Sequence, residues 1–252
     1  MIVSEDGATA YLADSSPGDV YAVRLPRLTV AWKHHVGGAP FGLLLHGGSL
    51  FVSLFSGAAV VELDPSSGAQ LASHAVPQGP AALGVAPDGR VMVAGTRGNV
   101  DYVDGTSTPA GHGFGVAVVA GEIWTADYER AELVRAGDGH RVGLPLPLFP
   151  FWLAPGADGT LLIAAEGGTE DTDPGGVFSF DRAGTFRTLA SPRDPDQVLQ
   201  SGSTVLVAAH GDQAVLRIGG GVVDHWAVGS APVAIAADPA LDLLVVAVNA
   251  HE

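Results

Sequence analysis

Three features of the 252-residue chain predict an all-β fold made of repeated four-stranded antiparallel units. A short phrase is written twice, "GPAALGVAPDGRVMVAG" at 79–95 and "FPFWLAPGADGTLLIAA" at 149–165, and the two align without a gap. Thirty-five glycines and 17 prolines are spread along the whole length, which favours many short elements joined by tight turns. Apolar runs are four to eight residues long and are bounded by Gly, Asp and Pro, the mark of strands and not of helices.

The repeat fixes the unit. A small residue near the end of a β-like run recurs at Ala13, Ser53, Ala94, Ala126, Ala164, Ala208 and Ala247. Six of these are preceded, 13 to 15 residues earlier, by Pro40, Pro80, His112, Pro150, Pro195 and Pro232, with His112 in the place of a proline. Between the two marks lies a turn, such as "PDG" at 87–89 or "ADG" at 157–159. Each unit then reads as four strands. In the second, A is "FGLLLH", B is "SLFVSL", C is "AAVVELD" and D is "AQLASHAV". Four antiparallel strands in roughly 40 residues form the blade of a β-propeller. A lone blade leaves both faces bare, whereas stacking around an axis buries them.

The spacing predicts one domain over 1–252, with blades at about 1–36, 37–76, 77–109, 110–146, 147–191 and 192–228 and a half blade at 229–252. The expectation is a seven-bladed ring whose last blade lacks strands C and D, the chain then being a fragment. A six-bladed ring with a C-terminal overhang is the alternative. No helix longer than two turns is expected.

Composition narrows the partners. A net charge of −15 disfavours nucleic acid and anionic bilayers. No apolar stretch reaches the length of a membrane span, and no signal peptide is visible at the start. Cysteine is absent, which excludes disulfides and thiolate chemistry.

In such a blade the D–A and B–C loops share one face of the disc, where function is expected. The B–C loops start at Asp14, Phe55, Thr96, Asp127, Glu166, His210 and Asn249. The D–A loops bring His34, His35, Phe41, His112, Phe114, Phe149, Phe151, Trp152, Asp194 and Asp196. His112 is either a ligand or proton-transfer group at the channel mouth or a tolerated surface substitution. His210 stands at the end of an inner strand. With His112 and His251 it makes a conceivable transition-metal set, although nothing local fixes their convergence. The loop "EGGTEDTDPGG" (166–176) offers Glu166, Glu170, Asp171 and Asp173 to calcium, or is simply a solvated acidic loop. Phe151 and Trp152 either line a hydrophobic mouth or pack between blades 4 and 5. Trp32, Trp124 and Trp226 are assigned to the core.

The strand B ends "YLAD" (11–14), "FVSL" (51–54) and "WTAD" (124–127) resemble the YVTN propellers in residue type. The "PDG" turn and "GEIWTAD" also resemble NHL repeats and, more distantly, streptogramin lyase-like propellers. The resemblance implies a propeller and, by family habit, an extracytoplasmic or cell-surface setting. The relatives it points to include binders and a few enzymes. Gluconolactonase-like lactonases hold a divalent ion with Glu, Asn and Asp, for which Glu166, Asn249 and Asp127 are types that fit. Their early Glu has no match on the right face, because Glu5 lies in an A–B turn. Streptogramin lyase-like enzymes use a His and a metal-bound acidic cluster, and His210 with Glu166 is the nearest equivalent.

No hydrolase, zincin, Walker or dinucleotide motif is present. The leading expectation is therefore a non-catalytic propeller that binds a protein or a small molecule and needs no cofactor. Its binding residues are drawn from His210, Glu166, Asp127, His112, Trp152 and Phe151. The alternative is a metal-dependent lyase or lactonase, with calcium or magnesium, acting at the mouth of the channel.

Overall fold

The computed structural model describes residues 1–168, 173–238 and 240–249. Six four-stranded antiparallel sheets follow one another, each with its strands in chain order, and a two-stranded sheet comes last. The innermost strands of blades 2 to 6 are Pro40–His46, Pro80–Val85, Val116–Val119, Phe149–Pro155 and Pro195–Ser201. The first sheet begins at Ile2–Val3, and the two-stranded sheet pairs Pro232–Asp238 with Leu243–Val248. Strand Pro232–Asp238 touches both the inner strand of blade 6 and Ile2–Val3, so it lies between blades 6 and 1. Among the described residues the one helical element is a 3-10 turn at Ala157–Gly159, and no helix could cross a membrane.

The core lies between blades. Leu133 and Trp124 of blade 4 pack against Phe178 and Ile163 of blade 5, while Val177 and Leu162 on the other face of blade 5 pack against Val207 and Leu216 of blade 6. This is the period-two alternation of a strand buried on both faces. The small residues that marked the repeat, Ser53, Ala94, Ala126, Ala164 and Ala208, are almost wholly buried. Glycine is required where inner strands meet. A Cβ on Gly42 would lie 2.4 Å from the Ala81 carbonyl oxygen, and one on Gly115 would lie 2.9 Å from that of Phe151.

On the A–B and C–D side, aspartates close the turns. Asp6, Asp64, Asp88, Asp104, Asp138, Asp181 and Asp238 each accept the N–H of the residue two positions on. These Asx turns explain the Asp-rich punctuation of the sequence. Side-chain donors, Ser66, Arg90 and Thr106, together with backbone N–H groups hold the carboxyls of Asp64, Asp88 and Asp104, respectively, below the usual aspartate range.

One core assignment is corrected. Trp124 is buried, and Trp32 packs on Gly68 of blade 2 and donates to the Pro65 carbonyl at 3.0 Å. Trp226, by contrast, is 43% exposed. It sits on the outermost strand of blade 6 (Val222–Ala227), opposite Val215, and so faces the sheet that has only two described strands. Among the described residues, nothing there reaches far enough outward to cover the indole.

Ser53 ties two blades together. Its Oγ accepts the Gly42 N–H at 2.8 Å and donates to the Ala81 carbonyl of blade 3 at 2.6 Å, with no solvent access. Ser53→Ala strands both groups and should cost about 1–3 kcal/mol in denaturant unfolding. A loss well below that range would show that the inter-blade bond is dispensable.

Candidate functional site

The mouth of the channel is built from two circles of side chains, and backbone hydrogen bonds set their register. Phe55, Thr96, Tyr128, His210 and Asn249 donate their N–H to the carbonyls of Ala39, Gly79, His112, Asp194 and Ala231, respectively. Glu166 pairs with Phe149 in the same way. The first circle is therefore Phe55, Thr96, Tyr128, Glu166, His210 and Asn249. The second lies two residues beyond each acceptor and comprises Phe41, Ala81, Phe114, Phe151, Asp196 and Val233.

A local irregularity presents the second circle. The ladder shifts register just after Pro40, Pro150, Pro195 and Pro232, and Phe41, Phe151, Asp196 and Val233 fall within the shift. Such bulges re-aim a side chain out of the sheet. The turn before the proline takes a left-handed residue in blades 2, 3 and 6, at Ala39, Gly79 and Asp194. The positive φ of Asp194 (44°) therefore belongs to the turn and is no private strain.

The register corrects two sequence assignments. Gly113, not His112, holds the place of the proline, because His112 supplies the carbonyl that Ala39 and Asp194 supply in their blades. The His112 ring is exposed, with Nδ1 3.3 Å from the Thr96 carbonyl, and it lies over Gly98 of blade 3. Likewise Tyr128, not Asp127, occupies the position of Glu166 and His210. One residue along a strand reverses the face. Asp127 is consequently turned away, its side chain 1% exposed and paired with Arg141 at 2.9 Å and Arg130 at 3.3 Å. Aligning Ala126 with Ala164 and Ala208 and then counting two residues on would have found Tyr128.

The mouth is divided by chemistry. Phe114 is the hub of the apolar part. Its ring lies 5.0 Å from Phe151, 5.9 Å from Phe55 in a stack and 5.7 Å from Tyr128 edge-on. Phe41 of blade 2 reaches Phe151 of blade 5 at 6.3 Å, a contact that crosses the channel. Ala81 and Thr96 of blade 3 are short, which lets the rings of blades 2 and 4 meet. Tyr128 stacks on Phe149 at 5.1 Å. These rings are half-buried. Trp152, next to Phe151, packs into the apolar clusters between blades.

Blades 5 and 6 carry the polar part. Asp194, Asp196 and His210 each place a ligand atom within 4.8 Å of the others, and His210 Nδ1 lies 3.1 Å from Asp196 Oδ2. Tyr128 donates to Glu166 Oε2 at 2.5 Å. Burial, reinforced by the charges of Asp194 and Asp196, pushes the Glu166 carboxyl up to about 7 against the pull of Tyr128 and His210. Burial and the Glu166 contact push the Tyr128 phenol up as well. Two carboxylates and an imidazole suit a mixed O/N cation such as manganese or zinc better than calcium, which prefers oxygen throughout. Of the proposed calcium loop, Glu170 and Asp171 lie outside the described residues, as does His251.

No protein family's sequence profile matches the chain, and no curated protein matches it. Solved structures do match in fold. A streptogramin B lyase superposes with a TM-score of 0.81 at 14% identity, covering 98% of this chain and 89% of that one. An inactive virginiamycin B lyase from Staphylococcus aureus, bound to quinupristin, gives 0.77 at 12% identity over 92% and 86%. A candidate 6-phosphogluconolactonase from Bacteroides fragilis gives 0.69 at 14% over 92% and 84%. At these identities the likeness establishes a β-propeller and nothing finer.

The raised carboxyl makes a signed prediction. Folded Glu166, facing Tyr128, Asp194, Asp196 and His210, holds its proton more tightly than the ordinary value of 4.5 allows. The cost of its charge is absent below that pH and complete above about 7. Glu166→Gln should leave the melting temperature near the parent's at about pH 4.5 and raise it at about pH 8. An equal shift at both would place the carboxyl in the ordinary range.

Proposed function

We propose that this propeller binds a small organic molecule at the mouth of its channel. The ligand has a flat apolar body and a positively charged end. The observation that carries the reading is the abrupt division of the mouth. Six aromatic rings from blades 2, 4 and 5 adjoin Glu166, Asp194, Asp196 and His210 of blades 5 and 6. The rings supply area and a negative π-face, and the acids supply charge for a protonated amine. Arg193, next in sequence to Asp194, is turned to Asp212 at 2.7 Å and leaves the cluster acidic. The half-buried rings favour a small ligand over a protein partner.

A second reading, a metal-assisted enzyme, is favoured by the Asp194–Asp196–His210 set. Beside it, Glu166 near 7 can hold or release a proton at neutral pH. The lyases and the lactonase candidate that share the fold make it worth testing.

The test is calorimetric titration with a panel of arylalkylamines, 1-naphthylmethylamine among them, each set against its neutral alcohol. The amines should bind at least about tenfold more tightly, as expected for a charge-assisted contact. Affinity should rise with pH through 7 as Glu166 ionises, and Phe114→Ala and Asp196→Asn should weaken it. Equal binding of amine and alcohol, or no binding across the panel, overturns the proposal. A stoichiometric divalent ion in the purified protein, lost in Asp196→Asn, would favour the enzyme instead.

A further inference from the structure

We propose a second ligand site, on the opposite face of the disc, for a planar organic anion. The turns of blades 4 and 5 enclose a cleft of about 510 Å³ there. Val119, Val142, Leu161 and Phe180 make its apolar walls, with the Trp124 and Phe180 rings 5.5 Å apart and edge-on. That volume and lining suit a bicyclic ring system.

Residues with unspent donors line this space. The Trp124 indole N–H, on a residue 6% exposed, has no acceptor among the described residues, and Trp124 lines the cleft. The His140 ring stands edge-on to Trp124 at 6.2 Å and makes no side-chain hydrogen bond among the described residues. Arg182 forms no ion pair with any described residue. Its guanidinium lies across Gly159, where a Cβ would come within 3.0 Å of it, so the glycine leaves the room that it occupies.

The carboxylates at hand are already engaged. Glu122 and Asp138 are held by Arg135 at 2.6 and 2.7 Å, and Asp181 accepts the N–H groups of Ala183 and Thr185. In a chain of net charge −15, a cleft offering a free guanidinium, an indole N–H and an imidazole is matched to an anion. A carboxylate or a phosphate on a flat ring meets the same donors.

The experiment titrates 2-naphthoate, 2-naphthyl phosphate and neutral 2-naphthamide into ¹⁵N-labelled protein. The indole N–H signal of Trp124, assigned with Trp124→Phe, is the readout. Both anions should shift that signal and leave the Trp152 indole signal unmoved, and the tighter one identifies the anionic group. The amide should bind at least about tenfold more weakly, and Arg182→Ala, an exposed substitution, should weaken the anions by a similar factor. An unmoved Trp124 signal, an amide that binds as well as the anions, or undiminished binding to Arg182→Ala overturns the proposal.

Discussion

The structure depends on one constraint, that each four-stranded sheet must bury both faces against its neighbours while its inner strand approaches the axis. A flat, two-faced apolar sheet of four strands is not stable alone. Stacking supplies the missing cover, and the core accordingly lies between blades. Convergence at the axis is a steric demand. It is met by the buried small residues of the second strands and by glycines such as Gly42 and Gly115, whose Cα hydrogens face the backbone of another inner strand. The same crowding makes hydrogen bonds between blades, from Ser53 to Ala81 and from the Ala82 N–H to the Phe114 carbonyl.

Crowding at the axis also makes the site. Where the inner strand starts in blades 5 and 6, the ladder slips and the residue at the slip is presented at the mouth. Blades 2 to 6 and the two-stranded sheet each contribute one residue from the start of the inner strand and one from the end of the second strand, so the mouth is composed blade by blade. Large rings in blades 2, 4 and 5 fill the channel over the short side chains of blade 3, while blades 5 and 6 gather acids and an imidazole. Glu166, at the border, is screened from water by its surroundings and sits beside other carboxylates, and its proton affinity rises for both reasons. The two faces differ in kind. One is made of bulges and the candidate binding side chains, the other of Asx turns in which the carboxylates serve the backbone.

The sequence by itself determined the repeat, the four-strand unit, the turns and the face on which Phe41, Phe114, Phe151, Asp194, Asp196, Glu166 and His210 gather. All of these follow from local rules of alternation, turn chemistry and spacing, which a single chain displays. What the tertiary structure decided was register and neighbourhood. Tyr128 replaced Asp127 at the mouth because a strand reverses its face at every residue. A bulge, which no composition announces, settled where Phe151 and Asp196 belong in the ladder. Trp226 became exposed because its cover depends on the depth of the next sheet and not on its own strand. The contact of Phe41 with Phe151, and the closeness of Glu166 to Asp194, join residues more than 25 positions apart in sequence. Such pairs are set by the closing of the ring, and no local pattern carries that distance.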